Sequence, residues 1–170
     1  MYKYKEIDMF KKIIFIFIIF IQFPIFALET DLLYLEVGIN NIFRKKHSQS
    51  TEFRTEYKFH NKWWVFHPLI GVSYTTKQQL YAYSGISLDL ILKKRLVFAP
   101  NFAAGYYNRG KGKDLGCPLE FRTGIEAAFI FKNMTRLGCS FSHTSNASIG
   151  RKNPGLETLV FFLAIPLNEY

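Results

Sequence analysis

The chain has 170 residues, which is room for one domain. Twenty-two Lys and Arg against thirteen Asp and Glu give a formal charge of +9, and 49% of the residues are hydrophobic. A basic balance alone admits nucleic acid, an anionic membrane or a phosphorylated lipid as partner, so the placement of the charges has to decide between them.

Lys3, Lys5, Lys11 and Lys12 precede an apolar run, Ile13 to Phe26, broken only by Gln22 and Pro24. That run is shorter than the ~18 residues a membrane-spanning helix needs. A basic start, a short apolar stretch and a small residue at Ala27 predict a secretory signal over residues 1–27 and a working domain over 28–170. Export removes nucleic acid from the list of partners. Setting aside those four lysines with Glu6 and Asp8 leaves 18 basic and 11 acidic residues, a net charge of +7.

Residues 28–170 hold no further apolar stretch of ~18 residues, so they cannot cross a membrane as helices. They show instead a period of two, in segments of about ten residues separated by turn residues, the signature of a transmembrane β-barrel. In the first segment, near Asp31–Asn41, Leu33, Leu35, Val37 and Ile39 alternate with Tyr34, Glu36, Gly38 and Asn40. In the second, Phe53, Thr55, Tyr57 and Phe59 face one way and Glu52, Arg54, Glu56 and Lys58 the other. Four charges on one face belong in a polar lumen, where they can pair; hydrocarbon would not hold them.

The third segment, Trp63–Tyr74, gathers Trp64, Phe66, Ile70, Val72 and Tyr74 on one face. The fourth, Leu80–Leu92, sets Ile86, Leu88, Leu90 and Leu92 against Tyr81, Tyr83, Ser87 and Asp89. The fifth, Leu96–Tyr106, contains Pro100, which predicts a bulge. The sixth, Leu119–Phe131, sets Phe121, Ile125, Phe129 and Phe131 against Glu120, Arg122 and Glu126; the seventh and eighth are Met134–Ser145 and Glu157–Leu167. Eight antiparallel strands form a closed barrel whose interior is filled by side chains, so no open pore is expected.

The connections alternate in length. Links at Phe43–Ser50, Thr75–Gln79, Asn108–Pro118 and Ala147–Gly155 are long; those around His60–Lys62, Lys93–Arg95 and Lys132–Asn133 are tight. Outer-membrane barrels keep short turns periplasmic and long loops outside. The long loops carry Arg44, Lys45, Lys46, Lys77, Arg109, Lys111, Lys113, Arg151 and Lys152 against Asp114 alone, a charge of +8 on the outer face. Cys139 should pair across its hairpin near Glu126, which leaves Cys117 about 30 Å away at roughly 3.3 Å per residue, too far for a disulfide. His47, His60 and His67 have no Cys or second His at ligand spacing, and no metal site is expected.

Side-chain parity singles out one hairpin. In the seventh segment Leu137, Cys139, Phe141, His143 and Ser145 share a face opposite Arg136, which must point into the lumen; the first face therefore meets lipid. In the eighth, Glu157 shares the apolar face of Leu159, Phe161, Leu163, Ile165 and Leu167. Three polar groups thus stand at the extracellular end of lipid-facing rows, where polar groups are costly and usually functional. A serine becomes a nucleophile when a base takes its proton, and His143 lies two residues from Ser145 on the same face. A carboxylate such as Glu157 can hold that imidazole in the right tautomer. A hairpin centred near Arg151 places Glu157 opposite Ser145 and one diagonal step from His143. Asn146, Asn153 and the amides of the loop containing Gly155 are the candidate donors to an oxyanion.

His143, Ser145 and Asn146, followed by Asn153, Gly155 and Glu157, read H-x-S-N and N-x-G-x-E. This pattern resembles the PagL family of outer-membrane lipid A 3-O-deacylases. The resemblance is carried by Arg136–Pro166; elsewhere it is one of architecture. It implies a serine-esterase hydrolysis of the ester-linked 3-hydroxyacyl chain at position 3 of lipid A, with Ser145 as nucleophile, His143 as base and Glu157 as orienter. Asn146, Asn153 and Gly155 would support the oxyanion or the loop, no cofactor is implied, and Arg151, Lys152, Arg44 and Lys45 are candidates for substrate phosphate. The implied partners are lipopolysaccharide and the bacterial outer membrane, with a homodimer left open. Two other readings remain: an inactive structural or adhesive barrel, and a soluble barrel that binds lipid inside. The charged inward faces oppose the last.

Overall fold

The computed structural model describes residues 30–167, so the predicted signal at 1–27 lies outside the described residues. The strands are β1 (Leu32–Asn40), β2 (Ser50–Lys58), β3 (His67–Thr75), β4 (Leu80–Ser87), β5 (Leu90–Leu92), β6 (Leu96–Asn108), β7 (Leu119–Ile130), β8 (Arg136–Ser145) and β9 (Leu156–Pro166). Each pairs antiparallel with its neighbours in the barrel wall, and β1 also pairs with β9, so the sheet closes on itself.

β4 and β5 are two pieces of one strand. Both pair with β6 in a single register, from Leu80↔Asn108 to Leu92↔Leu96. The interruption at Leu88–Asp89 has a chemical cause. The Leu88 N–H donates to the Pro100 carbonyl at 3.0 Å, but proline has no N–H to return the bond. The bulge predicted at Pro100 is absent, because β6 and β7 stay in step from Leu96↔Phe129 to Tyr106↔Leu119. The architecture is therefore an eight-stranded antiparallel barrel, as the alternation predicts.

A second correction falls between β2 and β3. The alternation runs on through Trp63–Phe66, yet these residues form a turn and β3 begins at His67. Trp63 and Phe66 exchange two backbone hydrogen bonds, at 2.8 and 3.1 Å, around Trp64, whose φ is 61°. Trp63 and Trp64 are largely exposed at this rim, where a barrel's aromatic girdle meets the headgroups.

The two faces of the wall differ as the period of two demands. Outward stand Leu35, Val37, Ile39, Phe53, Ile70, Val72, Phe102, Ile125, Leu137 and Phe161, all exposed. An apolar belt of this extent needs a bilayer around it. Inward, ion pairs fill the lumen. Arg54 reaches Glu52 at 2.7 Å and Glu36 at 3.4 Å, and Arg122 reaches Glu56 at 2.7 Å. Lys58 lies between Glu126 at 3.1 Å and Asp89 at 3.5 Å, and Arg136 meets Asp89 at 2.6 Å. Among the described residues these pairs fill the lumen with charge, which opposes a soluble barrel that carries a lipid inside.

Candidate active site on the outer face of the barrel

The site lies where β8 and β9 reach the end of the barrel that carries the long loops. Along β8 the outward row is Leu137, Cys139, Phe141, His143 and Ser145, while Arg136, Ser140, Ser142 and Thr144 are buried inside. His143 is directly opposite Glu157 on β9 and Thr123 on β7; Ser145 faces Phe121. The diagonal placement of Glu157 predicted from a hairpin centred on Arg151 is thus off by two residues. Ala147 and Ser148 both adopt left-handed backbone, with φ of 51° and 64°, and curl the loop back before Arg151. The direct pairing shortens the reach. His143 Nδ1 lies 3.1 Å from Glu157 Oε1, with the two side chains 44% and 25% exposed. A carboxylate on Nδ1 fixes the proton there and leaves Nε2 as the nitrogen that can accept one.

Gly155 determines where that ring can lie. Its φ is +60°, and a Cβ built on it would be 2.6 Å from His143 Cε1. The loop backbone therefore closes on the imidazole edge from above while Glu157 holds it from the neighbouring strand. Gly155→Ala should push the ring off Glu157 and lower kcat on an ester substrate about 10–100-fold, since a misplacement near 1 Å can have that effect. Heat-dependent gel mobility, which reports the folded barrel, should stay the same. An unchanged kcat would show that the ring has room to spare.

The two asparagines take different parts. Asn146 is wholly buried, and its Nδ2 donates to the carbonyls of Leu115 at 2.7 Å and Lys152 at 2.8 Å. Those bonds occupy its side-chain donor in bracing the loop. The Asn146 N–H donates to Asn153 Oδ1 at 3.2 Å, which turns the exposed Asn153 side chain toward the start of the loop, one residue from Ser145. Asn153 Nδ2 takes no part in that bond and remains a candidate side-chain donor.

Comparison with known proteins bears on this arrangement. The family profile described as "Lipid A 3-O-deacylase (PagL)" matches residues 33–166. The chain belongs to the PagL family. Among solved structures, the outer membrane enzyme PagL superposes with a TM-score of 0.63 at 18% identity, covering 80% of this chain and 99% of that one. A de novo designed transmembrane β-barrel follows at a TM-score of 0.56 and 12% identity, over 81% of this chain and 95% of that one. The outer membrane protein Ail of Yersinia pestis, in a phospholipid nanodisc, gives 0.50 and 9%, over 82% and 100%. At these identities the likenesses show a shared barrel fold. No curated protein matches the chain by sequence.

In this PagL-family chain the basic loops divide into two groups. Lys152 is paired with Asp114 at 2.9 Å, and Arg109 shares the same carboxylate at 3.2 Å. The hydrogen bond from Lys152, with one from the Gly116 N–H, holds the Asp114 carboxyl below the usual carboxylate range. The tie is in place at neutral pH and is lost as acid protonates Asp114 through that lowered pKa. Lys152 thus serves to join two loops. Arg151 and Lys45 are exposed on their loops, while Arg44 lines a cavity with lysines from two other loops.

The sequence counts Lys113 among the outer-face charges but gives it no part in the site. Its Nζ donates to Gly155 O, to Pro154 O at 3.4 Å and to Asn41 Oδ1 at 3.4 Å. It therefore anchors the segment that presses on His143. A lysine in a glycine-rich loop, about forty residues from Pro154 and Gly155, has no periodic signal to give it away. Cys117 and Cys139 are both free thiols; Cys139 pairs across the hairpin with Ala127, one residue from the position predicted.

Proposed function

We propose that this protein is a lipid A 3-O-deacylase of the bacterial outer membrane, hydrolysing the ester at position 3 from the lipid side of its own wall. The observation that carries the reading is the His143–Glu157 pair, two residues from Ser145, on the outward face of an otherwise apolar strand pair.

Ser145 Oγ attacks the carbonyl carbon of the 3-hydroxyacyl ester while His143 Nε2 takes its proton. Glu157 at Nδ1 stabilises the imidazolium and keeps the ring aligned. The carbonyl oxygen becomes an oxyanion, for which Asn153 Nδ2 is a candidate donor. Collapse breaks the ester C–O bond, and His143 returns its proton to the departing sugar hydroxyl. Water, deprotonated by the same histidine, then cleaves the acyl-serine and releases a 3-hydroxy fatty acid. Every proton is handled by side chains, so the scheme needs no cofactor.

The placement supports a lateral mode of access. Lipid A lies in the outer leaflet, with acyl chains alongside the Phe141, Phe161 and Leu163 faces and phosphates at the height of the basic loops. Purified protein in detergent micelles, given lipid A in the presence of EDTA, should release free 3-hydroxy fatty acid measurable by gas chromatography. A folded barrel that releases none would be the inert structural or adhesive barrel instead.

A further inference from the structure

The loops after β1, β3 and β6 border an open cavity of about 340 Å³, within the ~300–1,000 Å³ usual for small-ligand sites. It is lined by Arg44, His47, Ser48, Lys77, Lys111 and Lys113, with Asn41 and Gly112. Four permanent cations meet there, and no carboxylate is among the lining residues. The one acidic residue of the long loops, Asp114, is held by Arg109 and Lys152.

The loops are tied to one another around this space by backbone oxygens. Lys77 Nζ donates to His47 O, the Lys111 N–H donates to Lys77 O at 2.9 Å, and Lys113 reaches Gly155 O. Those ties hold like charges together with no carboxylate among the described residues that line the cavity. Burial and the neighbouring Arg44 lower the Lys113 pKa, against the opposing pull of the Glu157 carboxylate. An anion with several acceptor oxygens would satisfy the Arg fork and the lysine heads together.

We propose that this cavity binds a phosphomonoester, and that in the membrane the phosphate is one carried by the acylated sugar whose ester faces Ser145. The second half rests on the deacylase reading. Lys113 connects the two places, since its ammonium lines the cavity and also bonds the carbonyl of Gly155, which packs on the His143 ring. The cavity therefore registers the substrate by its charged head, while the apolar wall receives the chains. It also moves the phosphate contacts from Arg151, Lys152 and Lys45 to Arg44 and the three cavity lysines.

The test compares wild-type protein with the double variant Lys77→Gln/Lys111→Gln, and with Lys94→Gln in a turn at the opposite rim as control. In micelles, kcat/KM is measured on bisphosphorylated lipid A and on the same lipid after enzymatic dephosphorylation, and inorganic phosphate and glucosamine 1-phosphate are titrated directly by 31P NMR. Wild type and Lys94→Gln should prefer the phosphorylated lipid about tenfold, and the double variant should bring that ratio close to one. Equal ratios for wild type and the double variant would overturn the proposal, as would phosphate binding that is not saturable. Saturable binding of free phosphate with no lipid selectivity would overturn the glycolipid assignment. If wild type hydrolyses neither lipid yet binds phosphate through Lys77 and Lys111, the anion site stands and the deacylase reading fails. Heat-dependent mobility confirms that each variant is folded.

Discussion

Ser145→Ala should abolish ester hydrolysis, lowering kcat on the order of 10⁴-fold or more, while leaving the barrel folded. The size follows from the chemistry. Without the hydroxyl there is no acyl intermediate, and His143 with Glu157 can at best activate a stray water. The folding half follows from position. Ser145 is the last residue of β8, partly exposed on the outer side, and its removal opens no lumenal cavity and breaks no ion pair. Kinetics on a soluble ester in micelles, beside heat-dependent gel mobility, checks both halves. A serine-directed fluorophosphonate should label wild type and fail to label the variant. A variant that keeps a tenth of the wild-type rate would mean that another group is the nucleophile.

The second large effect is on stability. Asp89 is fully buried and receives Arg136 at 2.6 Å and Lys58 at 3.5 Å. It stands at the point where Pro100 interrupts the ladder between β4 and β5. The backbone there is already short of a hydrogen bond, and the side chain holds the gap closed by pairing across the lumen. Asp89→Leu leaves two buried cations without their shared carboxylate, and the ion pair that remains to them among the described residues is Lys58 with Glu126. Breaking a buried pair from one side typically costs about 3–5 kcal/mol. Urea unfolding in micelles, followed by tryptophan fluorescence, should show a loss of that order. Asp89→Leu/Arg136→Met removes both partners of the shorter pair and should recover most of the loss. Equal instability of the single and double variants would assign the cost to packing and not to the uncompensated charge.

How far the sequence reveals this arrangement can be judged from single residues. Glu52, Arg54, Glu56 and Lys58 alternate with apolar neighbours so strictly that the period of two alone assigns them to the inward face, and all four are buried. The same parity puts His143, Ser145 and Glu157 on the outside, because Arg136 has to go in. Register is less accessible. It depends on the curl at Ala147 and Ser148, two ordinary residues in left-handed backbone, and nothing in their side chains announces it. Pairing His143 with Glu157 and not on a diagonal is the consequence.

Two elements mislead for the opposite reason, an excess of local signal. Trp63–Phe66 continues the apolar character of a strand, but aromatics are equally at home on a rim facing headgroups. Pro100 looks like a bulge, yet its neighbours stay in register and the missing donor shows only as a gap on one side. What the sequence could not supply at all is the joining of loops far apart in the chain. Lys113 on Gly155, Asn146 on Leu115 and Lys152 on Asp114 are long-range contacts between irregular segments. They join the basic loops to the strand pair that carries His143, Ser145 and Glu157.

The most direct test of the deacylase reading is mass spectrometry of lipid A extracted from Gram-negative cells expressing the protein. Wild-type protein should produce lipid A lighter by one 3-hydroxyacyl chain, lost from position 3, and Ser145→Ala should leave the lipid intact with the barrel inserted at the same level. An unchanged lipid A profile from cells carrying correctly inserted wild-type barrel would contradict it.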